Sequence, residues 1–339
     1  QQRWTQAPPG SSWGEFGADD QHGRMNLVTE EKVRQGVAEV KVGKTFCLSL
    51  PLDYPGGQKL NPRRIPPRLY SVVRDGKSAG EQGFCWSYQS EDPDLTDVVN
   101  DDVLLMSLQY STQWDSFAHV GSHFDADGDG VEEAVFYNGF RAGEDIRPGH
   151  ADTQNPEPWA RYPDSYAGAL SIALLAEHGA QGRGVMIDLE RHVGRQRVAV
   201  GYDALMKMLE ADQVQVESGD MVCLHTGFAD HLLQMNRQPD AEALAQCGAV
   251  LDGRDSALLN WITDSGLSVL VADNYAVEAH PATPATGCHA TLPLHEHCLF
   301  KLGIHLGELW HLTPLANWLR AHGRHRFLLT APPLRLPGA

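Results

Sequence analysis

The sequence is short of positive charge: its 339 residues include 27 Lys and Arg against 44 Asp and Glu, a formal net charge of −17. Nucleic acids and anionic membrane surfaces repel so acidic a protein, and we expect neither as a partner. No apolar run reaches the roughly 18–20 residues that a membrane span requires, and the first residues lack a basic region followed by an apolar one. These absences favour a cytoplasmic protein, although the start at Gln1 leaves a removed leader open.

The sequence also has little that would cross-link or divide it. Its six cysteines are scattered without a C-x-x-C pair, and Cys47 and Cys223 lie within apolar runs. We therefore expect buried thiols in a reducing compartment rather than a catalytic cysteine. No internal repeat and no long linker is present. With 42% hydrophobic and 21% charged residues, the composition is that of a folded globular protein.

The second half of the sequence predicts an α/β fold. Apolar runs typical of buried strands alternate with helical stretches, the strands at 184–189, 220–226 and 267–272 and the helices at 202–211 and 255–264. Continuous apolar strands separated by helices are typical of parallel strands buried on both faces. The C-terminal segment 327–336 is expected to add an edge strand, which proline interrupts.

The first 28 residues predict an irregular N-terminal arm on a single domain formed by residues 29–339. They are rich in Gly, Trp and acidic side chains and show little periodicity. Such a segment has too little apolar surface to pack as a unit of its own. We therefore expect the arm to cross to a partner chain.

Three local elements are predicted between the arm and the centre of the chain. Thr29 is suited to cap a helix. Its apolar face is formed by three valines, Val33, Val37 and Val40. Residues 45–52 alternate like a strand, and residues 101–108 predict a buried strand.

The densest set of potential ligands lies in residues 109–139. It contains two amides, two histidines and five acids, namely Gln109, Gln113, His119, His123, Asp115, Asp125, Asp127, Asp129 and Glu132. Oxygen and imidazole donors at short spacing are what a divalent metal or an acid/base site requires. We interpret this stretch as the functional centre.

Two registers compete within the stretch. Residues 119–125 read H-V-G-S-H-F-D, and residues 109–115 have the same spacing with glutamine in place of each histidine. Alternate residues of an extended segment share one face in either case. Periodicity therefore leaves both registers open.

An acidic turn overlaps this centre. The spacing of Asp125, Asp127 and Asp129 is that of the first ligands of a calcium loop. The twelfth position of the loop is Phe136, which excludes an EF-hand. Glu132 or Glu133 could complete the site. A bound calcium ion and a solvated turn both stay open, and calcium would stabilise the turn because three carboxylates repel one another.

Further candidate ligands follow near the C-terminus. His295 and His297, two apart on a predicted strand, precede Glu308, and a pair of surface histidines is the competing interpretation. Asp273 and Glu278 follow the end of a predicted strand, which is where ligand sites of parallel sheets lie. The sequence assigns no role to these two acids.

Seven segments, in order along almost the whole chain, resemble the cyclase family of metal-dependent amide and lactone hydrolases, which includes bacterial kynurenine formamidases and isatin hydrolase. The segments are 17–31, 112–120, 136–139, 182–189, 218–228, 271–281 and 292–312. The resemblance is to the longer branch of the family. It implies one swivelling β/β/α-type domain of the α/β class with a mixed sheet, a small-molecule substrate and a homodimer or homotetramer.

The family signature is H-x-G-T-H-x-D-x-x-x-H, which Y-x-G follows in the longer branch. The sequence FYNG at 136–139 then places TQWDSFAH on this signature. The resemblance implies that Asp115 binds a metal and that His119 transfers a proton, with Gln109 and Gln113 at two ligand positions held by histidine in the family. His295 and Glu308 fall on the remaining ligand positions, whereas His123 and Asp125 are the alternative ligands of the other register.

The resemblance thus implies a hydrolase that uses a divalent metal, zinc or manganese, to activate water against an amide, formamide, cyclic imide or lactone. An amide oxygen is a weaker donor than imidazole and suits hard cations better. Kynurenine formamidase-like chemistry, in tryptophan catabolism, is the reference activity. An aromatic pocket would be lined by Trp114, Phe117 and Tyr137.

Two other hypotheses stay open on the sequence. The first is a metal-free lyase, cyclase or isomerase that uses Asp115 and His119 as an acid/base pair. The second is a non-catalytic small-molecule binding protein that kept the fold. Metal content distinguishes both from a metal-dependent hydrolase.

Overall fold

The computed structural model describes residues 3–74, 83–149, 154 and 162–339. Its strands, in chain order, are β1 Arg68–Ser71, β2 Trp86–Ser87, β3 Val98–Val99, β4 Asp102–Leu105, β5 Gln113–Asp115, β6 Ser122–Phe124, β7 Glu133–Val135, β8 Ile146–Pro148, β9 Ser165–Ala167, β10 Gln181–Asp188, β11 Ala199–Val200, β12 Met221–His225, β13 Val250–Leu251, β14 Val269–Ala272, β15 His305–Glu308 and β16 Arg326–Thr330.

The α-helices are short and separate the strands of the second half. In chain order they are α1 Glu30–Ala38, α2 Ile172–His178, α3 Leu189–Val193, α4 Tyr202–Asp212, α5 Phe228–Gln234, α6 Ala241–Ala245, α7 Ser256–Ser265, α8 Pro293–His295 and α9 Thr313–Ala321. A π-helix, Glu296–Leu302, continues α8. Among the helices of the described residues, none has the length and apolar character needed to cross a membrane.

A six-stranded mixed sheet forms the centre of the protein, in the order β16-β10-β12-β14-β15-β5. The four inner strands are parallel, and β16 and β5 pair antiparallel at the two edges. The predicted α/β class with a mixed sheet is therefore confirmed. The predicted C-terminal edge strand is also confirmed, and it ends at Thr330, just before Pro332 and Pro333.

Both faces of the sheet are covered, which explains why the inner strands β12 and β14 read as nearly continuous apolar runs. Leu205 of α4 and Ile262 of α7 are buried with one face, and Leu315 and Leu319 of α9 with the other. Each fully buried aliphatic side chain contributes roughly 1.5–3 kcal/mol relative to an exposed one. The sheet is therefore a rigid base for groups at its strand ends.

Helix α1 begins where the sequence predicts and packs differently. Thr29 accepts a hydrogen bond from the backbone N–H of Lys32, as expected of a cap. The predicted apolar face is wrong in part, because Val37 and Val40 are each 53% exposed. Gly36 faces the sheet instead: a Cβ there would lie 2.6 Å from the carbonyl oxygen of Gly182, so the backbones approach closely.

Two predicted strands of the first half need correction. Residues 45–52 form an isolated bridge between Ser49 and Trp310 in place of a strand. Residues 101–108 contain β4, but it pairs with β1 in a two-stranded antiparallel sheet, and Val103 and Leu104 are exposed rather than buried. The apolar pattern predicted the strand correctly, whereas burial depends on a covering layer that this two-stranded sheet lacks in the described part of the chain.

The N-terminal segment packs against the π-helix of the same chain. Trp4 and Trp13 are buried, and the Trp13 indole donates a hydrogen bond to the carbonyl oxygen of Phe300 over 2.8 Å. A short 3₁₀-helix, Gly23–Leu27, is its regular element before α1. The exchange of this arm with a partner chain stays a prediction.

The buried His297 is expected to make stability depend on pH. Burial lowers the pKa of His297 to about 4, and the charge of Lys301 acts in the same direction. In the unfolded chain a histidine has a pKa of about 6.5. Because the unfolded chain binds the extra proton between these values, this contribution to stability is complete above about pH 6.5 and is lost as the pH falls toward about 4.

Substituting His297→Gln keeps a donor for the carbonyl oxygen of Leu259 and removes the titrating group. When the pH is lowered from about 7 to about 5, the free energy of unfolding measured in urea should fall in both proteins. The fall should be about 2 kcal/mol smaller in His297→Gln than in the wild type. His289→Gln provides the control, because it makes the same substitution at an exposed position. Equal pH dependence in His297→Gln and the wild type would refute this contribution.

Candidate metal centre

Three side chains from distant parts of the sequence meet at one end of the central sheet. Asp115 lies on the edge strand β5, Glu308 ends β15, and His295 ends α8. All three are at least 97% buried, and one ligand atom of each lies within 4.8 Å of the other two. The antiparallel register pairs Glu308 with Gln113, so Gln113 and Asp115, two apart on β5, point to the same face as Glu308. The structure thus brings together four of the predicted ligands.

His295 is held at both ring nitrogens. Its Nε2 lies 3.1 Å from Oε1 of Glu308 and 3.9 Å from Oδ2 of Asp115, and its Nδ1 lies 2.7 Å from Oε1 of Glu278. The predicted strand at this position is wrong, because Pro293 starts a helix there. His297 lies in the π-helix that follows and contacts Leu259, away from the group.

Gln113 carries the observation that points to a cation. Its amide Nε2 donates to Oδ1 of Asp115 over 3.0 Å and to Oε2 of Glu308 over 3.4 Å. Oε1 of Gln113 and Oδ2 of Asp115 are buried and have no hydrogen-bond partner among the residues that the structure describes. Buried acceptors are normally paired, and a cation satisfies such oxygens directly. Two carboxylates, an amide oxygen and an imidazole therefore fit a divalent metal.

The electrostatics of the group are those of a site that needs positive charge. Burial, and then the charge of Glu308, raises the pKa of Asp115. Burial opposes ionisation of Glu308 too, but the hydrogen bond and charge of His295, with weaker help from Arg64, outweigh it and lower the pKa of Glu308. Burial likewise disfavours the charged His295, yet Glu278 and Glu308 raise its pKa to about 10. In the metal-free protein the charged imidazole of His295 thus neutralises the carboxylates. A bound cation would take over this role.

His119 lies at the solvent side of this group, on the turn that follows β5. Its side chain is 30% exposed, and its Nε2 is 4.0 Å from Oδ1 of Asp115. Gln109 precedes β5 and is half-buried, and its backbone carbonyl accepts a hydrogen bond from Arg64. Within the described part of the chain, Gln113 but not Gln109 joins the hydrogen bonds of the group.

The alternative register leads elsewhere. His123 is exposed on β6, which forms a hairpin with β7. The carboxylate of Asp125 accepts hydrogen bonds from the backbone N–H groups of the acidic turn, at Gly128, Asp129 and Gly130. Among the described residues, His123 and Asp125 therefore do not join the group around Asp115.

The acidic turn itself brings together ligand atoms of Asp125, Asp127 and Glu133, within 4.8 Å of one another. The carboxylate of Asp129 lies outside this group and accepts from the backbone N–H of Val131. The guanidinium of Arg141 pairs with both Asp127 and Glu133. An internal cation thus already offsets the repulsion, and calcium binding at this turn stays a prediction.

Two of the three predicted pocket residues are placed in the core. Phe117 and Tyr137 are fully buried; Phe117 stacks on His305 at 4.0 Å, and the Tyr137 hydroxyl donates to Asp20. Trp114 lines a groove of about 760 Å³ together with Trp310. Because side chains alternate along β5, Trp114 points away from the face of the carboxylates. An aromatic residue close to the family signature in the sequence can therefore pack in the core instead of lining a substrate pocket.

Glu278 is a site residue to which the sequence assigned no role. It is fully buried after β14, and its contact with His295 joins it to the group. Asp273, also fully buried, accepts instead from Thr226 and Gly227. The position of both acids after a strand end indicated a ligand site. The sequence does not show that Glu278 rather than Asp273 reaches the site.

A second group of potential ligands is already neutralised. Asp188, Glu190 and His225 lie close together at the ends of β10 and β12. Arg320 pairs with both acids, and Arg195 pairs with Glu190. We therefore interpret this group as a network of ion pairs that stabilises the fold.

The chain is similar to known proteins in its sequence and in its fold. A family model described as "Putative cyclase" matches residues 48–279. A solved structure described as a novel cyclase is 27% identical, covers 98% of this chain and 96% of its own, and has a TM-score of 0.70. No curated protein matches the chain.

Two isatin hydrolases share the fold at lower identity. Isatin hydrolase A from Labrenzia aggregata is 13% identical over 91% of this chain and 94% of its own, with a TM-score of 0.52. Isatin hydrolase A from Ralstonia solanacearum is 13% identical over 91% of each chain, with a TM-score of 0.51. The resemblance predicted from the sequence is confirmed by the family match, which covers more than half of the chain. The protein belongs to the cyclase family.

Proposed function

We propose that the protein is a metal-dependent hydrolase that cleaves an amide, formamide, cyclic imide or lactone. The observation that carries the proposal is the buried group of Asp115, His295 and Glu308, in which one oxygen of Gln113 and one of Asp115 lack a partner among the described residues. Solved structures of the same fold that are named as isatin hydrolases support a hydrolytic reaction. We further propose a small-molecule substrate and a homo-oligomer.

The ligands would be the carboxylates of Asp115 and Glu308, Nε2 of His295 and Oε1 of Gln113. For Oε1 to bind, the Gln113 amide has to turn over, because its Nε2 faces the two carboxylates in this structure. When bound, a divalent cation supplies Lewis acidity that polarises a carbonyl oxygen and lowers the pKa of water. Three of these four donors are oxygen atoms, and one of the three belongs to a neutral amide. This donor set favours manganese over zinc, because zinc prefers nitrogen and sulfur ligands.

His119 is suited to move the proton. Its half-buried imidazole reaches solvent on one side and lies 4.0 Å from Asp115 on the other. It would take a proton from the attacking water and give it to the leaving nitrogen or oxygen. The charge of Asp115 orients the imidazole and stabilises it when protonated.

We expect the purified protein to contain about one transition metal per chain and to hydrolyse an aryl formamide, cyclic imide or aryl lactone. Elemental analysis after dialysis against metal-free buffer measures the first, and a panel of such substrates, N-formylkynurenine included, followed with a pH indicator, measures the second. A chelator should abolish turnover, and added manganese should restore it.

The other hypotheses give different results in the same experiment. Turnover that survives complete removal of the metal would support a metal-free lyase, cyclase or isomerase. Protein that contains no metal and turns over no member of the panel would support a binding protein. Either result would contradict the proposed function.

A further inference from the structure

We infer that Glu278 is a positioning residue: its carboxylate fixes the imidazole of His295 so that Nε2 faces Asp115 and Glu308 and can bind a cation there. The inference rests on the metal site proposed above. Oε1 of Glu278 lies 2.7 Å from Nδ1 of His295, and this is the ring nitrogen that points away from the group. A carboxylate on the far nitrogen is the usual partner of a metal-binding histidine.

The carboxylate of Glu278 is itself fixed by the backbone. Oε1 also accepts from the N–H of His295 over 2.9 Å, and Oε2 accepts from the N–H of Leu294 over 3.0 Å. A Cβ at Gly253 would lie 2.2 Å from Oε2, so the chain passes against the carboxylate where only glycine fits. Glu278 therefore has little freedom to move away from His295.

The loop that carries Glu278 has an unusual backbone. Ala276 and Val277 have φ angles of 82° and 56°, in a region that residues other than glycine rarely occupy and that is unfavourable for a β-branched side chain. Asn274 holds this loop, since its side chain accepts from the N–H of Val277 and donates to the carbonyl oxygen of Ala249. Strain of this kind persists where the surroundings over-determine the position, most often near functional sites.

The hydrogen bond to Glu278 favours the tautomer that His295 would need in order to bind a cation. When Nδ1–H donates to Glu278, the neutral ring has its lone pair on Nε2, which faces the metal position. The two oxygens of Glu278 serve three donors, the two backbone N–H groups and Nδ1–H. A glutamine offers one acceptor and one donor group, so it cannot accept all three bonds. We therefore expect Glu278→Gln to release the ring or to favour the wrong tautomer.

Asp273 provides a matched control. It is a fully buried carboxylate after the same strand, and it likewise accepts two backbone N–H groups, those of Thr226 and Gly227. Its contacts lie outside the Asp115 group. Asp273→Asn and Glu278→Gln should both lower stability, but only Glu278→Gln should change the metal site.

The test is titration of the metal-free full chain with manganese(II), with free manganese measured by its EPR signal. We expect Glu278→Gln to weaken manganese binding by about 10–100-fold and Asp273→Asn to leave it as in the wild type. Equal binding by Glu278→Gln and the wild type, or an equal loss in both variants, would overturn the positioning role alone. A wild type that binds no manganese would overturn the proposed metal site and, with it, this inference.

A second variant covers the case in which Glu278→Gln does not fold. Glu278→Asp keeps the charge and shortens the side chain by one methylene, so the carboxylate cannot reach both the backbone and Nδ1. Weaker manganese binding by folded Glu278→Asp supports the inference, and binding equal to that of the wild type contradicts it. Far-UV circular dichroism establishes folding in each case.

Discussion

His119→Ala is expected to lower turnover by about two to four orders of magnitude on any substrate that the wild type hydrolyses, the usual contribution of a positioned general base. The imidazole is the group next to Asp115 that is both 30% exposed and able to carry a proton between water and the leaving group. Manganese binding should be nearly unchanged, because His119 lies beside the ligands rather than among them. Steady-state kinetics and a manganese titration of the same sample measure both effects.

His123→Ala is the matched control for this experiment. His123 belongs to the competing register and lies exposed on β6, so its removal should change turnover by less than about tenfold. The opposite ranking, with metal lost from His123→Ala, would mean that residues 119–125 form the true metal motif. Asp115 and Gln113 would then be structural.

Asp115→Asn is expected to have opposite effects on stability and on metal binding. In the metal-free protein Asp115 is a buried carboxylate beside Glu308, and burial and that charge raise its pKa. The neutral amide should raise the free energy of unfolding of the chelated protein by on the order of 1 kcal/mol. The metal-dependent gain, about 2.7 kcal/mol for the wild type at a manganese concentration of 100 times Kd, should disappear.

Urea unfolding with chelator and with manganese measures both parts of this prediction. Asp273→Asn gives the contrasting result, because three donors pair with Asp273 and its neutralisation should destabilise the protein while leaving the manganese gain intact. An Asp115→Asn protein that is less stable without metal, yet still stabilised by manganese, would show that Asp115 is a structural carboxylate.

The strands of the fold were predictable because burial on both faces leaves a direct mark on the sequence. β12 and β14 are apolar at nearly every position, and β10 is apolar over residues 185–187. The ends of the three strands fall within a few residues of the predictions. β4, which pairs with β1, has a similar apolar run without the burial. Local pattern therefore predicts a strand but not the layer that covers it.

The candidate site was predictable only in part. Asp115, His295 and Glu308 were named through the family resemblance, since no periodicity connects β5 with α8 and β15. The role of Glu278 depends on the φ angles of Ala276 and Val277, which the sequence does not reveal. Phe117 and Tyr137 were predicted to line a pocket, but both are buried in the core. The segment in which an aromatic residue lies does not determine which way its side chain points.

The most direct test of a metal held by Asp115, His295 and Glu308 is a crystal structure of the protein grown with manganese(II), with diffraction data collected on both sides of the manganese absorption edge. We predict an anomalous difference peak between Oδ2 of Asp115, Nε2 of His295 and the carboxylate of Glu308, with the Gln113 amide turned over so that Oε1 faces the peak. A site without such a peak, or a peak at the acidic turn of Asp125 alone, would contradict it.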